Sequence, residues 1–531
     1  MVKLRFIQCF CMVVALTAFG PGFGPRPIIA AGETAPMPEE DVQVLTSGPI
    51  HEAFAEAVVL DPEPGIVAPK APPALIKEIP PEQKPEGDVQ WIPGYWAWDD
   101  ERNEYIWVSG VWRVPPPGRQ WVPGYWNLVT HGYQWISGYW ASVKAKETEY
   151  LPEPPESVEV GPSSNASSPD YTWIPGCWVW HYGRYAWRPG YWAVVNPNWI
   201  WVPAHYIWTP RGYIFVGGYW DYTVIHRGVL FAPVFFPPRV HLGLAFSFSP
   251  GFVIDLNVFD DALFLRPRYC HYYYGDYYAP KYYRMGIYPW FSLHARRVVY
   301  DPIYAHQRWN HRNDREWENH LQTRFRERRE HEGLRPPRSF DQRTGPDKAG
   351  RSSGPARLDF VMPLDRTGKT KAGAYRFQPL SEKKRREFSQ REKEVRTYQK
   401  ERQSRETQRQ NMPEEKASKK PETNKEKFSR SPIMDRSNGK ADRKKAPPAQ
   451  YKAPKPNPNV EPLQRKYDSS RSWDKSQESE DREQKSEVRG DRSMDKVQKP
   501  GNRGGRSEDH MQKSNDRQQR GDDGRQRRNE R

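Results

Sequence analysis

Trp121–Trp126 reads WVPGYW and Trp135–Trp140 reads WISGYW, with the starts of the two stretches fourteen residues apart. The same six-residue unit recurs as WIPGYW from Trp91, WVSGVW from Trp107, WIPGCW from Trp173, WRPGYW from Trp187, WVPAHY from Trp201 and FVGGYW from Phe215. The eight starts are separated by 16, 14, 14, 38, 14, 14 and 14 residues. A fixed period is the signature of units that cannot bury their apolar face alone and must stack on neighbours. The 38-residue interval holds an insert across residues 150–170, Tyr150 followed by LPEPPESVEVGPSSNASSPD, which divides the array into two sets of four.

An aromatic residue stands two positions before most of the first rings (Tyr105, Tyr133, Tyr171, Tyr185, Trp199, Tyr213), and alternation of period two predicts strand. Glycines three residues before the first ring, Gly118, Gly132 and Gly212, predict chain reversals between units. The Pro-Gly inside each unit has two readings. It kinks or bulges one long strand per period, since proline donates no ladder hydrogen bond and glycine tolerates unusual dihedrals. Alternatively it centres a type II turn between two short strands. Two-residue hairpin turns that match strand twist are types I′ and II′, which Pro-Gly does not fit, so the single strand is favoured. Pairing of Trp121 with Trp126 inside one unit would refute it.

Four rings per period, at about 150–250 Å² each and roughly 25 cal/mol per Å², contribute about 15–25 kcal/mol as an upper bound. Ordering fourteen backbones costs about 14–28 kcal/mol. A lone unit is therefore marginal, and the rings are first of all the core of a thin sheet. The W-x-x-G-x-W units with a preceding Tyr resemble the WXXGXW (YXWGXW) repeats of bacterial exported proteins, over roughly residues 89–220. That resemblance implies an exported repeat protein and carries no activity with it. Two copies depart from the pattern: WVPAHY replaces Gly-x-Trp by Ala-His-Tyr, and FVGGYW opens on Phe215. Fraying or capping is expected there.

The chain divides by composition. Residues 1–31 read as an export signal, with Lys3 and Arg5 before the apolar run Phe6–Phe19, too short for an ordinary membrane span. Residues 32–88 form a Pro/Glu-rich linker expected to be a flexible spacer. The repeat array occupies 89–226, and an apolar, tyrosine-rich β extension 227–307, whose tyrosines are expected at the surface. Residues 308–531 hold 60 Lys+Arg against 38 Asp+Glu, a net +22, whereas the whole chain is +16; residues 1–307 are therefore at −6. This tail is expected to be disordered with short helices. Its stretch SEKKRREFSQREKEVRTYQKERQSRETQRQ has only Phe388, Val395 and Tyr398 as sizeable apolar groups, and reads as an isolated, partly formed helix. The expected fold is mainly β: an antiparallel meander of aromatic 14-residue repeats followed by a long disordered or partly helical charged tail.

Enzyme signatures are missing. The sequence has no GxSxG, phosphate loop or dinucleotide fingerprint. His181, His205, His226, His241 and His271 are scattered without partner ligands at a metal-binding interval, and adjacent Asp260 and Asp261 suit no acid/base pair. No enzyme, cofactor or metal is expected. The second ring of each unit is the candidate stacking platform for sugars: Trp96, Trp112, Trp126, Trp140, Trp178, Trp192 and Trp220. Core packing competes for the same rings. Cys177 and Cys270 remain after the leader, and in an oxidising compartment they either pair or stay as two buried thiols. The expected protein is exported (periplasmic, cell-surface or extracellular), without a transmembrane helix in the mature chain. It is a non-enzymatic structural or interaction protein of the envelope, its basic tail drawn to envelope polysaccharide or another anionic polymer, with no specific nucleic-acid binding. The alternative is a carbohydrate-binding protein using Trp/Tyr stacking platforms.

Overall fold

A computed structural model describes residues 42–237, 246–293, 299–340, 360–367, 376–407, 424–427, 429–436 and 447–462. The expected leader at 1–31 and much of the low-complexity tail lie outside the described residues. The fold is mainly β, in small and almost wholly antiparallel sheets.

The eight copies form four hairpins of two copies each. In the second, Arg119–Val122 pairs with Tyr139–Ser142, and Tyr125–Val129 pairs with Gly132–Ile136. Trp121 faces Trp140, and Trp126 faces Trp135. Five residues forward on one arm match five back on the other, so the chain runs straight through Pro-Gly and the single-strand reading holds. The correction is to the bulge: neither arm has an extra residue, and both arms open at the same level, Pro123–Gly124 opposite Ser137–Gly138. The same register recurs as Trp91↔Trp112 with Trp96↔Trp107, Trp173↔Trp192 with Trp178↔Trp187, and Trp201↔Trp220 with Tyr206↔Phe215.

Each facing pair is a ring pair. Centroid separations are 5.1 Å for Trp91–Trp112, 5.2 Å for Trp96–Trp107 and 5.4 Å for Trp173–Trp192, all edge-to-face. Such pairs contribute about 0.5–1.5 kcal/mol beyond their buried area. The unit's glycine is needed because the first ring of the opposite copy lies on it. A Cβ at Gly138 would meet Trp121 Cζ2 at 2.5 Å, and one at Gly124 would meet Trp135 Cζ2 at 2.5 Å. This explains the two departing copies. By register Ala204 stands where Gly124 does, and Phe215 stands where Trp135 does. The added methyl comes with a smaller facing ring. Trp201, Tyr206 and Tyr219 are buried, so these copies do not fray.

Hairpin tips follow local chemistry. Tyr182 and Gly183, between paired His181 and Arg184, both have positive φ, 50° and 77°, as a type I′ turn requires.

The segments around the array depart most from expectation. The Pro/Glu-rich stretch is no spacer: Ala53, Phe54 and Val58 are fully buried, and Gly48–Pro49 joins a sheet with His271–Tyr274, Leu263–Arg266 and Tyr288–Pro289. The tyrosine-rich stretch is core rather than surface, with Tyr269, Tyr272, Tyr274, Tyr278 and Tyr282 buried. Four of these hydroxyls make this tolerable by finding acceptors: Tyr272 on Asp301 (2.8 Å), Tyr274 on Leu45 O (2.9 Å), Tyr278 on Asp261 O (2.7 Å) and Tyr282 on Glu101 (2.8 Å). Short strands after the array, Gly228–Val229 and Val234–Phe235, flank the first hairpin as its proline-limited neighbours.

Two tail helices also pack. Trp317–Glu330 buries Trp317, Leu321 and Phe325, at i, i+4 and i+8. The helix Glu382–Thr407 is neither isolated nor short: it runs 26 residues and buries Glu392, Val395, Tyr398, Arg402 and Glu406. Arg402 sits over the rings of Tyr125 (5.3 Å) and Tyr139 (5.2 Å) and is paired with Glu406 (3.0 Å). The first and fourth hairpins are tied by buried Asp221, which accepts from Arg113 at 2.6 Å and pairs with Arg227 at 3.1 Å.

Candidate functional site

Opening both arms at one level leaves glycine N–H groups and carbonyls without ladder partners, and buried polar groups need others. Glutamates from outside the array take the N–H groups. In the second hairpin, Glu52 accepts from the Trp135 indole (2.9 Å) and Gly138 N (2.7 Å). In the first, Glu78 accepts from the Trp107 indole (3.1 Å), Gly110 N (2.8 Å) and Gly94 N (2.7 Å). In the third, Glu159 of the insert accepts from the Trp173 indole (3.0 Å) and from Gly176 N. Burial pushes Glu52 up to about 8 and Glu78 up to about 7, against the pull of these donors toward the ionised form.

Arginines take the carbonyls. Arg402 Nη1 donates to Pro123 O and Ser137 O, both at 2.9 Å. Arg396 donates to Gly94 O (2.7 Å), and Arg119 to Gly217 O (2.7 Å) and Gly218 O (2.9 Å). Arg396 and Arg402 of the basic tail helix are thus spent inside the molecule.

Of the seven candidate stacking rings, Trp96, Trp112, Trp140, Trp178 and Trp220 are buried, at 0–3% exposure, and cannot offer a face to a ligand. The reason is coverage by the chain itself: the Trp96 indole reaches Ala74 O, Trp140 reaches Ala53 O and Trp220 reaches Ala449 O. Trp126 and Trp192 are half-buried. Trp126 packs against Tyr105 and Trp135 and donates to Trp96 O, which leaves Trp192 as the platform among the seven.

Trp192 lines a groove of about 780 Å³ between the third hairpin and the segment carrying Pro302–Asn310 and Trp317–Glu330. Half-buried Trp173 and Trp309 line it too, and neither was among the candidates. Arg312 lies over Trp309 at 4.2 Å and pairs with Asp170 at 3.3 Å; Arg308 pairs with Glu318 at 3.1 Å. The groove's charged lining is Arg308, Arg312 and Arg315 against Glu159, Asp314 and Glu318, three of each sign. Rings beside planar, mixed-sign polar groups suit a neutral ligand rich in hydroxyls better than a polyanion.

Cys177 and Cys270 do not pair; both are free. Cys177 Sγ accepts from Arg188 (2.8 Å) on the facing strand, and Cys270 sits in a left-handed turn where burial pushes its thiol up to about 12. Asp260 and Asp261 are held by Gln307 and Arg324, and His271 shares a buried hydrogen bond of 2.7 Å with Tyr95. Among the described residues no group of three or more His, Cys, Asp or Glu is placed to hold a metal, and no helix is long and apolar enough to cross a membrane.

The family described as WXXGXW repeat (2 copies) matches residues 90–113, 121–141, 169–193 and 196–221. Each match spans the two copies of one hairpin, so the matched two-copy unit coincides with the hairpin. The chain matches no curated protein and no solved structure.

Proposed function

We propose that this chain, a member of the WXXGXW repeat family, is an exported, non-enzymatic structural and interaction protein of the bacterial envelope that meets its partner through the third hairpin. One observation carries the reading. In the first, second and fourth hairpins the unit rings are buried except Trp126 and Phe215, which are half-buried against neighbouring rings, whereas the third leaves Trp173 and Trp192 half-buried across a groove from Trp309. The basic first residues before a short apolar run support export, and the +22 tail supports contact with an anionic layer. Fractionation of cells producing the full chain tests export: recovery in the cytoplasm alone sinks it.

The carbohydrate-binding reading is favoured by a separate observation, the three rings and balanced charges of the groove. Calorimetric titration with neutral and acidic polysaccharides tests it. A neutral polymer binds with little dependence on salt, and Trp309→Ala removes the binding. Heat from acidic polymers alone, vanishing at high salt, assigns binding to the tail instead.

A further inference from the structure

We propose that the WXXGXW unit of this chain is a reader of glutamate in an extended segment, and that the third hairpin accepts such a segment from a separate polypeptide in place of its own. In the second hairpin the three defining letters of one copy serve one segment. Trp135 and Gly138 hold the Glu52 carboxylate, and the Trp140 indole donates to Ala53 O at 3.2 Å. The third hairpin uses the same letters, with Trp173 and Gly176 on Glu159, while the Trp178 indole donates at 2.9 Å to Glu156 O, which precedes its glutamate where Ala53 follows Glu52. In the first, Trp107 and Gly110 hold Glu78, and the main-chain carbonyl of Ala74 is held by Trp96 of the paired copy at 3.0 Å. All the donors are N–H groups, so the half-exposed third seat selects a side chain with two accepting oxygens over an amide, which offers one.

One copy in each of the first three hairpins reads a glutamate; the buried Trp91 and Trp112 indoles, in copies that keep the glycine, have no partner among the described residues. The fourth hairpin has Ala204 for the glycine and Phe215 for a tryptophan, and no carboxylate lies on the Trp201 indole, whose buried N–H has no partner among the described residues.

The third seat is the exchangeable one. Glu52 and Glu78 are 3% and 0% exposed, whereas Glu159 is half-buried and lines the groove. Its carrier runs without strand from Pro152 to the start of Tyr171–Ile174. Carriers of this composition suit the task, since proline-rich chain is already extended and loses little freedom on docking. The partner is therefore an extended, proline-rich segment with a glutamate at the seat and a free carbonyl three residues before it. Because the resident segment competes at an effective concentration on the order of mM, an incoming single peptide is masked unless Glu159 is removed.

The test uses a fluorescent peptide copying residues 151–162, LPEPPESVEVGP, and a second with glutamine at the Glu159 position. Both are titrated by anisotropy against the full chain and its Glu159→Ala variant. The glutamate peptide binds the variant at least tenfold tighter than it binds the wild type, and at least tenfold tighter than the glutamine peptide does. Adding Trp173→Phe, which keeps a ring and loses the N–H, removes this preference. Equal affinity of the two peptides, or binding of neither, overturns the proposal. If circular dichroism shows Glu159→Ala unfolded, the wild type with peptide at mM concentration decides by the same glutamate preference. The outcome is independent of glycan binding through Trp309, so either reading can fail alone.

Discussion

Replacing Gly218 by alanine asks how the indoles are seated. The three atoms nearest a Cβ at Gly218 all belong to one ring: Trp201 Cζ2 at 2.5 Å, Cε2 at 3.1 Å and Cη2 at 3.3 Å. That ring has little room to retreat, with Trp220 at 5.1 Å and Tyr451 at 4.7 Å. Overpacking of this kind costs about 1–3 kcal/mol. Gly218 is outside the left-handed region, so alanine brings no backbone strain and, where it fits, stabilises by about 0.4–1 kcal/mol through the unfolded chain. At the other level of the same hairpin the paired change is already present as Ala204 and Phe215. Gly218→Ala is therefore destabilising alone and stabilising when combined with Trp201→Phe, a coupling of roughly 1.5–4 kcal/mol across the cycle. Urea melts of the wild type, both single variants and the double variant, followed by circular dichroism with the slope checked for constancy, measure it. An alanine effect of the same sign and size in both backgrounds refutes the indole-on-glycine account.

Asp221→Ala leaves Arg113 and Arg227 buried without their anion and destabilises by about 3–5 kcal/mol, seen as an earlier urea midpoint. Arg402→Met strips the donors from Pro123 O and Ser137 O and leaves Glu406 only the Tyr125 and Tyr150 hydroxyls in place of its cation; protease cleavage within Glu382–Thr407 accelerates while the hairpins stay resistant. Glu52 has a folded pKa of about 8, above its unfolded value, so its contribution is fully present below about pH 4.5 and is lost as pH rises to 8. Glu52→Gln therefore flattens the stability profile between pH 5 and 8 by about 3–4 kcal/mol, read as melting midpoints at each pH.

The spacing of the rings was enough to read eight copies, two sets of four and a chain passing straight through Pro-Gly, because period and register are local facts. The glutamates were not legible. Glu78 lies 16 residues before Gly94 and Glu52 lies 86 before Gly138, and a single acid in a Pro/Glu-rich stretch has the composition of solvated chain. The helix Glu382–Thr407 was misread for a related reason: beside Val395 and Tyr398 its buried face includes Glu392, Arg402 and Glu406, which an apolar count passes over. At the groove, Trp192 was reached from the repeat alone. Trp309 was not, although WNHRNDREW sets two rings among alternating charges immediately after the β extension.

Every clamped glutamate precedes the hairpin that holds it: Glu78, Glu52 and Glu159 all lie N-terminal to the glycines they serve. A chain delivered N-terminus first thus presents each anion before its seat exists, and each seat can close as soon as its second arm arrives. The arginines that finish the first two hairpins, Arg396 and Arg402, come 302 residues after Gly94 and 279 after Pro123. A truncated product lacking them keeps its anions and loses its keystones, so early termination yields half-sealed hairpins rather than a smaller complete molecule.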